Sequence, residues 1–216
     1  MGTRRDRVAA DSILGAVRAA FLDRDGVLND PVQDAVDGRP ESPHRPEDVA
    51  LAEGAVEGLR ALREQGFLLI AISNQPSAAK GKATLDDLRD VHERVVALLA
   101  EQGIELDDWR YCFHHPEGIV PELSRTCGCR KPAPGLLLDA ARDHGVDLDA
   151  SWMIGDSDAD IAAGRAAGLR TILVAHPGSS HRRSGRARAD AHARNLSDAA
   201  TLVHEGHPRI VSADHR

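Results

Sequence analysis

From residue 17 onward, short apolar runs alternate with stretches whose apolar residues recur at helical spacing, the pattern of strand–helix units that build a mostly parallel sheet. The apolar runs predict strands over 19–22, 67–72, 109–112, 152–154 and 171–174, each bounded by Gly, Asp, Ser or Pro. Helices are predicted between them. Residues 55–64 carry an apolar face and stop at Gly66, while 85–101 follow a Thr84 cap and stop at Gly103. A third helix starts at Pro134, where proline suits a first turn, and runs to Gly145; a fourth covers 159–167 before Gly168. The expected class is α/β, with a doubly wound, mostly parallel sheet. Three segments break the rhythm, 30–46, 76–82 and 112–131, and each follows a predicted strand. Loops after the carboxyl ends of parallel strands converge on one rim, where ligands bind.

Composition narrows the function classes. A chain of 216 residues, 42% hydrophobic and 28% charged, is of ordinary globular make-up, and we expect one domain over 17–205 between flexible tails at 1–16 and 206–216. The longest apolar stretch, 66–72, is far shorter than the roughly 20 residues that span a bilayer, and residues 1–12 lack the apolar middle of a signal peptide. A cytoplasmic protein without a membrane partner is expected. The net charge of -7 argues against broad nucleic-acid binding, and six aromatic residues leave little for base stacking. Residues 176–194 hold five arginines and three histidines. Such a run is ordinarily a solvated loop, its functional alternatives being a basic lip that draws in an anionic substrate or a nucleic-acid contact.

The chemistry sits at the strand ends. In FLDRDGVLND, alternation along an extended strand puts Asp23 and Asp25 on one side. Two carboxylates so close repel each other unless a cation or a shared proton relieves them, and a hard divalent ion such as magnesium also binds substrate phosphate. In LLIAISNQ, Ser73 and Asn74 are placed to hold a phosphoryl oxygen; Lys131, in CRKPAPG, is one of only three lysines. WMIGDSDAD adds Asp156, placed to complete the metal site, and Asp160, placed to orient Lys131. The three cysteines all fall in one window, as Cys112-x-His114 and Cys127-x-Cys129. These four ligands fill a closed tetrahedral zinc site, so the zinc is expected to be structural and to pin the loop 112–129.

In this order the motifs resemble those of the haloacid dehalogenase superfamily of phosphohydrolases, over about residues 19–174. The resemblance implies a Rossmann-like fold and Asp23 as the nucleophile that becomes an aspartyl phosphate. It implies Asp25 as general acid and then base, with magnesium held by the Asp23 side chain, the Asp25 backbone carbonyl and Asp156. Ser73 and Lys131 then stabilise the transferring oxygens. YCFHHPEG and CGCRKPAPG are similar to the zinc-loop branch that contains heptose 1,7-bisphosphate 7-phosphatases and histidinol-phosphate phosphatases. Members of that branch have no large cap domain and shape the pocket with loops. Arg130 matches the arginine by which the heptose enzymes recognise substrate, suited to a second phosphate. Asn74, Gln75 and the loop after them touch substrate in the family. Here that loop reads NQPSAAKG, with Pro76, and with Lys80 in place of the usual arginine. The substrate implied is a small phosphorylated sugar, a heptose bisphosphate before histidinol phosphate.

Overall fold

The computed structural model describes residues 16–34 and 38–206; the expected tails, apart from residues 16 and 206, lie outside them. Strands β1 (Arg18–Leu22), β4 (Phe67–Asn74), β5 (Asp108–Cys112), β6 (Trp152–Gly155), β7 (Arg170–Val174) and β8 (Ala191–Ala193) form one sheet in the order β5-β4-β1-β6-β7-β8. Every pairing in it is parallel. Two short strands, β2 (Val32–Gln33) and β3 (Pro40–Glu41), pair antiparallel beside it. The helices are α1 (Ala55–Glu64), α2 (Leu85–Glu101), α3 (Gly135–His144), α4 (Asp158–Ala166) and α5 (Leu196–His204). Among the described residues no helix is long and apolar enough to cross a membrane.

Strand β1 lies inside the sheet, and Ala19, Ala20, Phe21 and Leu22 are wholly buried, as a parallel strand covered on both faces requires. Ala20 and Leu22 join one core with Leu59, Val91 and Leu196. Ala19 and Phe21 join the other with Ile70, Leu137 and Met153. The chain crosses from β1 to β4 on one side and later returns to β6 on the other. This reversal opens the crevice at the carboxyl end of β1, where ligands bind in such sheets.

The predicted strands and helices form with boundary shifts of one or two residues. Sequence reading left β8 and α5 unassigned, and the basic stretch differs from a plain solvated loop. Pro177–Arg182 coils into a 3-10 turn, and β8 extends the sheet. Asn195 caps α5 by accepting from the Asp198 N–H, and α5 packs so near α1 that a Cβ on Gly58 would lie 2.6 Å from Leu196.

Candidate active site

Asp23 directly follows β1, and its N–H still donates to Ile154 O at 2.9 Å. The carboxylate is thus carried on the end of a buried strand rather than on a free loop. Its Oδ1 accepts from Lys131 Nζ and from the Arg24 N–H, both at 2.8 Å. Lys131 Nζ also lies 2.6 Å from Ile72 O and from Asp160 Oδ1. Burial opposes its charge, yet Asp160 and Asp23 outweigh that and hold the ammonium protonated above its ordinary range. Asp160 orients Lys131 as expected, and its other oxygen accepts from Ser157 N–H and Oγ in the cap of α4.

Asp25 points elsewhere. Its oxygens accept from Arg24 Nη2 at 2.9 Å, Asn29 Nδ2 at 2.9 Å, Ser42 Oγ at 2.7 Å and Gln75 Nε2 at 2.7 Å. Burial works against this charge, but the Arg24 guanidinium and the three neutral donors win and bring its pKa down to about 2. Arg24 is itself wholly buried. Asp23 behaves oppositely: burial, reinforced by Asp160 and Asp25 against the pull of Lys131, pushes its pKa up to about 6. Burial with repulsion from Asp23 and Asp160 raises Asp156 to about 8.

These raised values mark a site short of positive charge. Carboxylate oxygens of Asp23, Asp156 and Asp160 lie within 4.8 Å of one another, and Asp156 Oδ1 is buried with no hydrogen-bond partner. Because Asp160 is committed to Lys131 and the helix cap, Asp23 and Asp156 are left to face a cation. That donor set suits magnesium. Gly26 makes room: at φ 92° it favours glycine, and a Cβ there would lie 2.0 Å from Asp156 Oδ2. The other Asp156 contact comes from far along the chain, where the buried Ser179 Oγ donates to Oδ2.

The two amides expected at the substrate are hydrogen-bonded within the protein. Asn74 lines the cavity, but its Nδ2 donates to Lys131 O at 2.9 Å and its Oδ1 accepts from the Lys131 N–H at 3.0 Å. Gln75 is buried, and its Nε2 donates to Asp25 and to Ser73 Oγ at 2.9 Å. Both amides hold other site residues, Asn74 from the cavity lining and Gln75 from a buried position. Ser73 and Asp156 are buried beside the cavity and do not line it.

The cavity above Asp23 measures about 490 Å³, with Arg39, Lys80, Arg130, His181 and Arg182 among its lining. One wall is the β2–β3 hairpin, tied to the turn after β4: Lys82 Nζ bridges Asp34 and Glu41, and His44 Nε2 meets Ser77 Oγ at 2.7 Å. Arg130 is half-buried and donates to His114 O at 3.2 Å.

That carbonyl belongs to the cysteine cluster. Cys112, Cys127 and Cys129 have Sγ atoms 3.1–3.6 Å apart, with His114 Nδ1 3.4 Å from Cys129 and 3.7 Å from Cys112. These spacings are too long for disulfides and near the edges of a tetrahedron about a metal with bonds of roughly 2.3 Å. The four residues named from sequence are the four brought together, and His115 instead accepts from the Glu117 N–H. Sequence reasoning missed Arg24, Ser42 and Ser179, and met Arg182 only as part of the basic stretch. Arg24 lies inside the first motif, whereas Ser42 and Ser179 carry no local signal.

A family model described as "HAD-hyrolase-like" matches residues 128–199. The D-glycero-beta-D-manno-heptose-1,7-bisphosphate 7-phosphatase of Yersinia pestis is 37% identical over 188 residues, 87% of this chain and 96% of that protein. The D-glycero-alpha-D-manno-heptose-1,7-bisphosphate 7-phosphatase of Photorhabdus laumondii is 37% identical over 166 residues, 76% of this chain and 86% of its own. Among solved structures, the D,D-heptose 1,7-bisphosphate phosphatase of B. bronchiseptica, complexed with magnesium and phosphate, superposes with a TM-score of 0.71. It is 25% identical and covers 88% of this chain and 99% of its own.

Proposed function

Because the chain belongs to the HAD-like hydrolases, in the family of the heptose 1,7-bisphosphate 7-phosphatases, we propose that it removes the 7-phosphate of D-glycero-D-manno-heptose 1,7-bisphosphate through an aspartyl phosphate on Asp23. Asp23 attacks phosphorus in line with the leaving sugar oxygen, and water afterwards cleaves the acyl phosphate. Asp23, Asp156 and the Asp25 carbonyl would hold magnesium, whose charge would let a carboxylate approach a phosphate dianion. Lys131, already at Asp23 Oδ1, follows the negative charge as it passes to the phosphoryl oxygens. Ser73 Oγ supports the same oxygens. Asn74 positions Lys131 through its backbone, and Gln75 positions Asp25 and Ser73.

Asp25 serves both half-reactions. In the resting network it is ionised, the form that activates water in the second step. An incoming phosphate dianion raises its proton affinity; Asp25 then takes a proton from solvent and passes it to the leaving alcohol in the first step.

The observation that favours a bisphosphate over histidinol phosphate is the cationic wall opposite the nucleophile. Partial burial and the neighbouring charges of Arg130 and Lys82 depress the Lys80 ammonium, a repulsion that a second phosphate relieves. Lys80 thereby takes the place of the arginine expected in the NQPSAAKG loop. We read the Cys112, His114, Cys127 and Cys129 cluster as structural zinc that fixes Arg130. The working form in this reading is a cytoplasmic monomer with one catalytic domain over 17–205 that acts on a small sugar phosphate, without nucleic-acid or membrane partners.

The test is phosphate release with magnesium, comparing kcat/KM for both anomers of the bisphosphate with histidinol phosphate and sugar monophosphates. The relatives divide between the alpha and beta forms, so the anomers are assayed separately. A bisphosphate preference supports the reading; equal rates on monophosphates remove Arg130 and Lys80 as recognition groups.

A further inference from the structure

We propose that Arg182, in the basic stretch after β7, is a substrate-binding residue that grips the phosphate at the reaction centre. The proposal rests on the phosphatase reading above and adds a residue that the four motifs do not contain. Arg182 ends the 3-10 turn Pro177–Arg182 and lines the cavity together with Asp23, Asp25 and Asp160.

The turn is docked rather than loose. Ser179 within it is wholly buried and donates to Asp156. His176 accepts from the Gly178 N–H at 3.1 Å and meets Asp30 at 3.1 Å. Just beyond the turn, Arg183 Nη1 donates to His176 O at 3.0 Å, and Ser184 Oγ donates to Asp158. A guanidinium carried on so anchored a turn is placed, not swept through solvent.

Arg182 is half-buried, and its guanidinium makes no hydrogen bond or ion pair with another described residue. Lys82 and Arg130 differ in this respect, since Lys82 is spent on Asp34 and Glu41, and Arg130 donates to His114 O. Asp23, Asp25, Asp156 and Asp160 all act on Arg182 electrostatically. Lys131, Arg24 and one divalent ion balance those four carboxylates, which leaves the charge of an arriving phosphate dianion unmatched. The forked donors of Arg182 supply that charge and suit phosphate oxygens. The fixed turn therefore ties the phosphate to the segment that also braces Asp156.

The experiment compares the full-length protein with Arg182→Ala, Arg182→Gln and Arg182→Lys, zinc retained and magnesium present. Calorimetry reads the Kd of inorganic phosphate, and inhibition of aryl phosphate hydrolysis reads its Ki. Loss of a charged hydrogen bond to phosphate predicts that both constants rise about tenfold or more in the Ala and Gln variants. Lys should recover part of the loss, and KM should rise with them. Unchanged phosphate affinity in the Ala and Gln variants overturns the proposal, even if kcat falls, because a merely structural role would spare product binding. A wild-type enzyme indifferent to heptose bisphosphate would count against the substrate assignment alone, since inorganic phosphate probes Arg182 independently.

Discussion

Replacing Asp23 by Asn should stabilise the magnesium-free protein while it ends turnover. The ordinary carboxyl value of 3.8 is pushed up to about 6 at Asp23 by burial and by Asp160 and Asp25. Its ionised form is therefore disfavoured in the folded chain. The sign follows from proton binding: between pH 3.8 and about 6 the folded state holds the proton more tightly than the unfolded state, so stability falls as pH rises through that window. Above it the full penalty stands, about 3 kcal/mol for a shift from 3.8 to about 6. An amide resembles the protonated carboxyl and avoids it. With roughly 2–4 °C per kcal/mol for a chain of this size, Tm at pH 7.5 should rise by about 6–12 °C, an upper bound for an ideal replacement. The assay is thermal unfolding in magnesium-free buffer with zinc left in place, because a strong chelator would strip the cysteine site as well. The difference should shrink as pH is lowered towards 4. It should shrink again when magnesium is added, since the cation stabilises only the chain that retains the carboxylate. A lower Tm for Asp23→Asn at pH 7.5 without magnesium would show that the site is not short of positive charge.

Cys127→Ser should release zinc and weaken bisphosphate binding through Arg130, with the chemical step on a small aryl phosphate largely kept; metal analysis and paired assays check this, and stoichiometric zinc in the variant would refute the four-ligand site. Arg130→Ala should raise KM for the bisphosphate by about tenfold or more, from loss of a charge-assisted contact, and change aryl phosphate hydrolysis little. Ser179→Ala frees Asp156 Oδ2 and should weaken magnesium affinity by about tenfold, read from the magnesium dependence of kcat/KM; an unaltered dependence would mean that Ser179 does not orient the ligand.

The framework was legible because its signals are local. Residues 19–22 and 67–72 are apolar enough that only a buried strand suits them, and the cap at Thr84 and the stop at Gly145 lie beside the helices they bound. Asp23, Lys131 and Asp156 were legible for the same reason, each standing at a strand end or beside a distinctive motif. What escaped depends on contacts between distant parts of the chain. Ser42 is one serine among many until the hairpin folds onto Asp25. Ser179 and Arg182 lie in a run whose charge reads as solvent-facing; Arg186, Arg188 and Arg194 do face solvent, and docking of Ser179 against Asp156 turns only the Pro177–Arg182 end inward. The Ala-His-Ala of β8 has neither length nor β-branching, and it becomes a strand because β7 offers a parallel edge. The sequence also cannot show that Asn74 is occupied by a backbone 57 residues away.

The Lys82 bridge to Asp34 and Glu41, with His44 on Ser77, makes the hairpin and the turn after β4 one mechanical piece. Inheritance acts on that piece as a pair. Exchanging only the turn for a relative's version would strand two acids on the hairpin, and exchanging only the hairpin would strand the lysine, so either graft alone should fit worse than both together. New substrate preferences in this scaffold would then arise by coupled change in two segments some forty residues apart, while Asp23 at the end of the interior strand stays untouched.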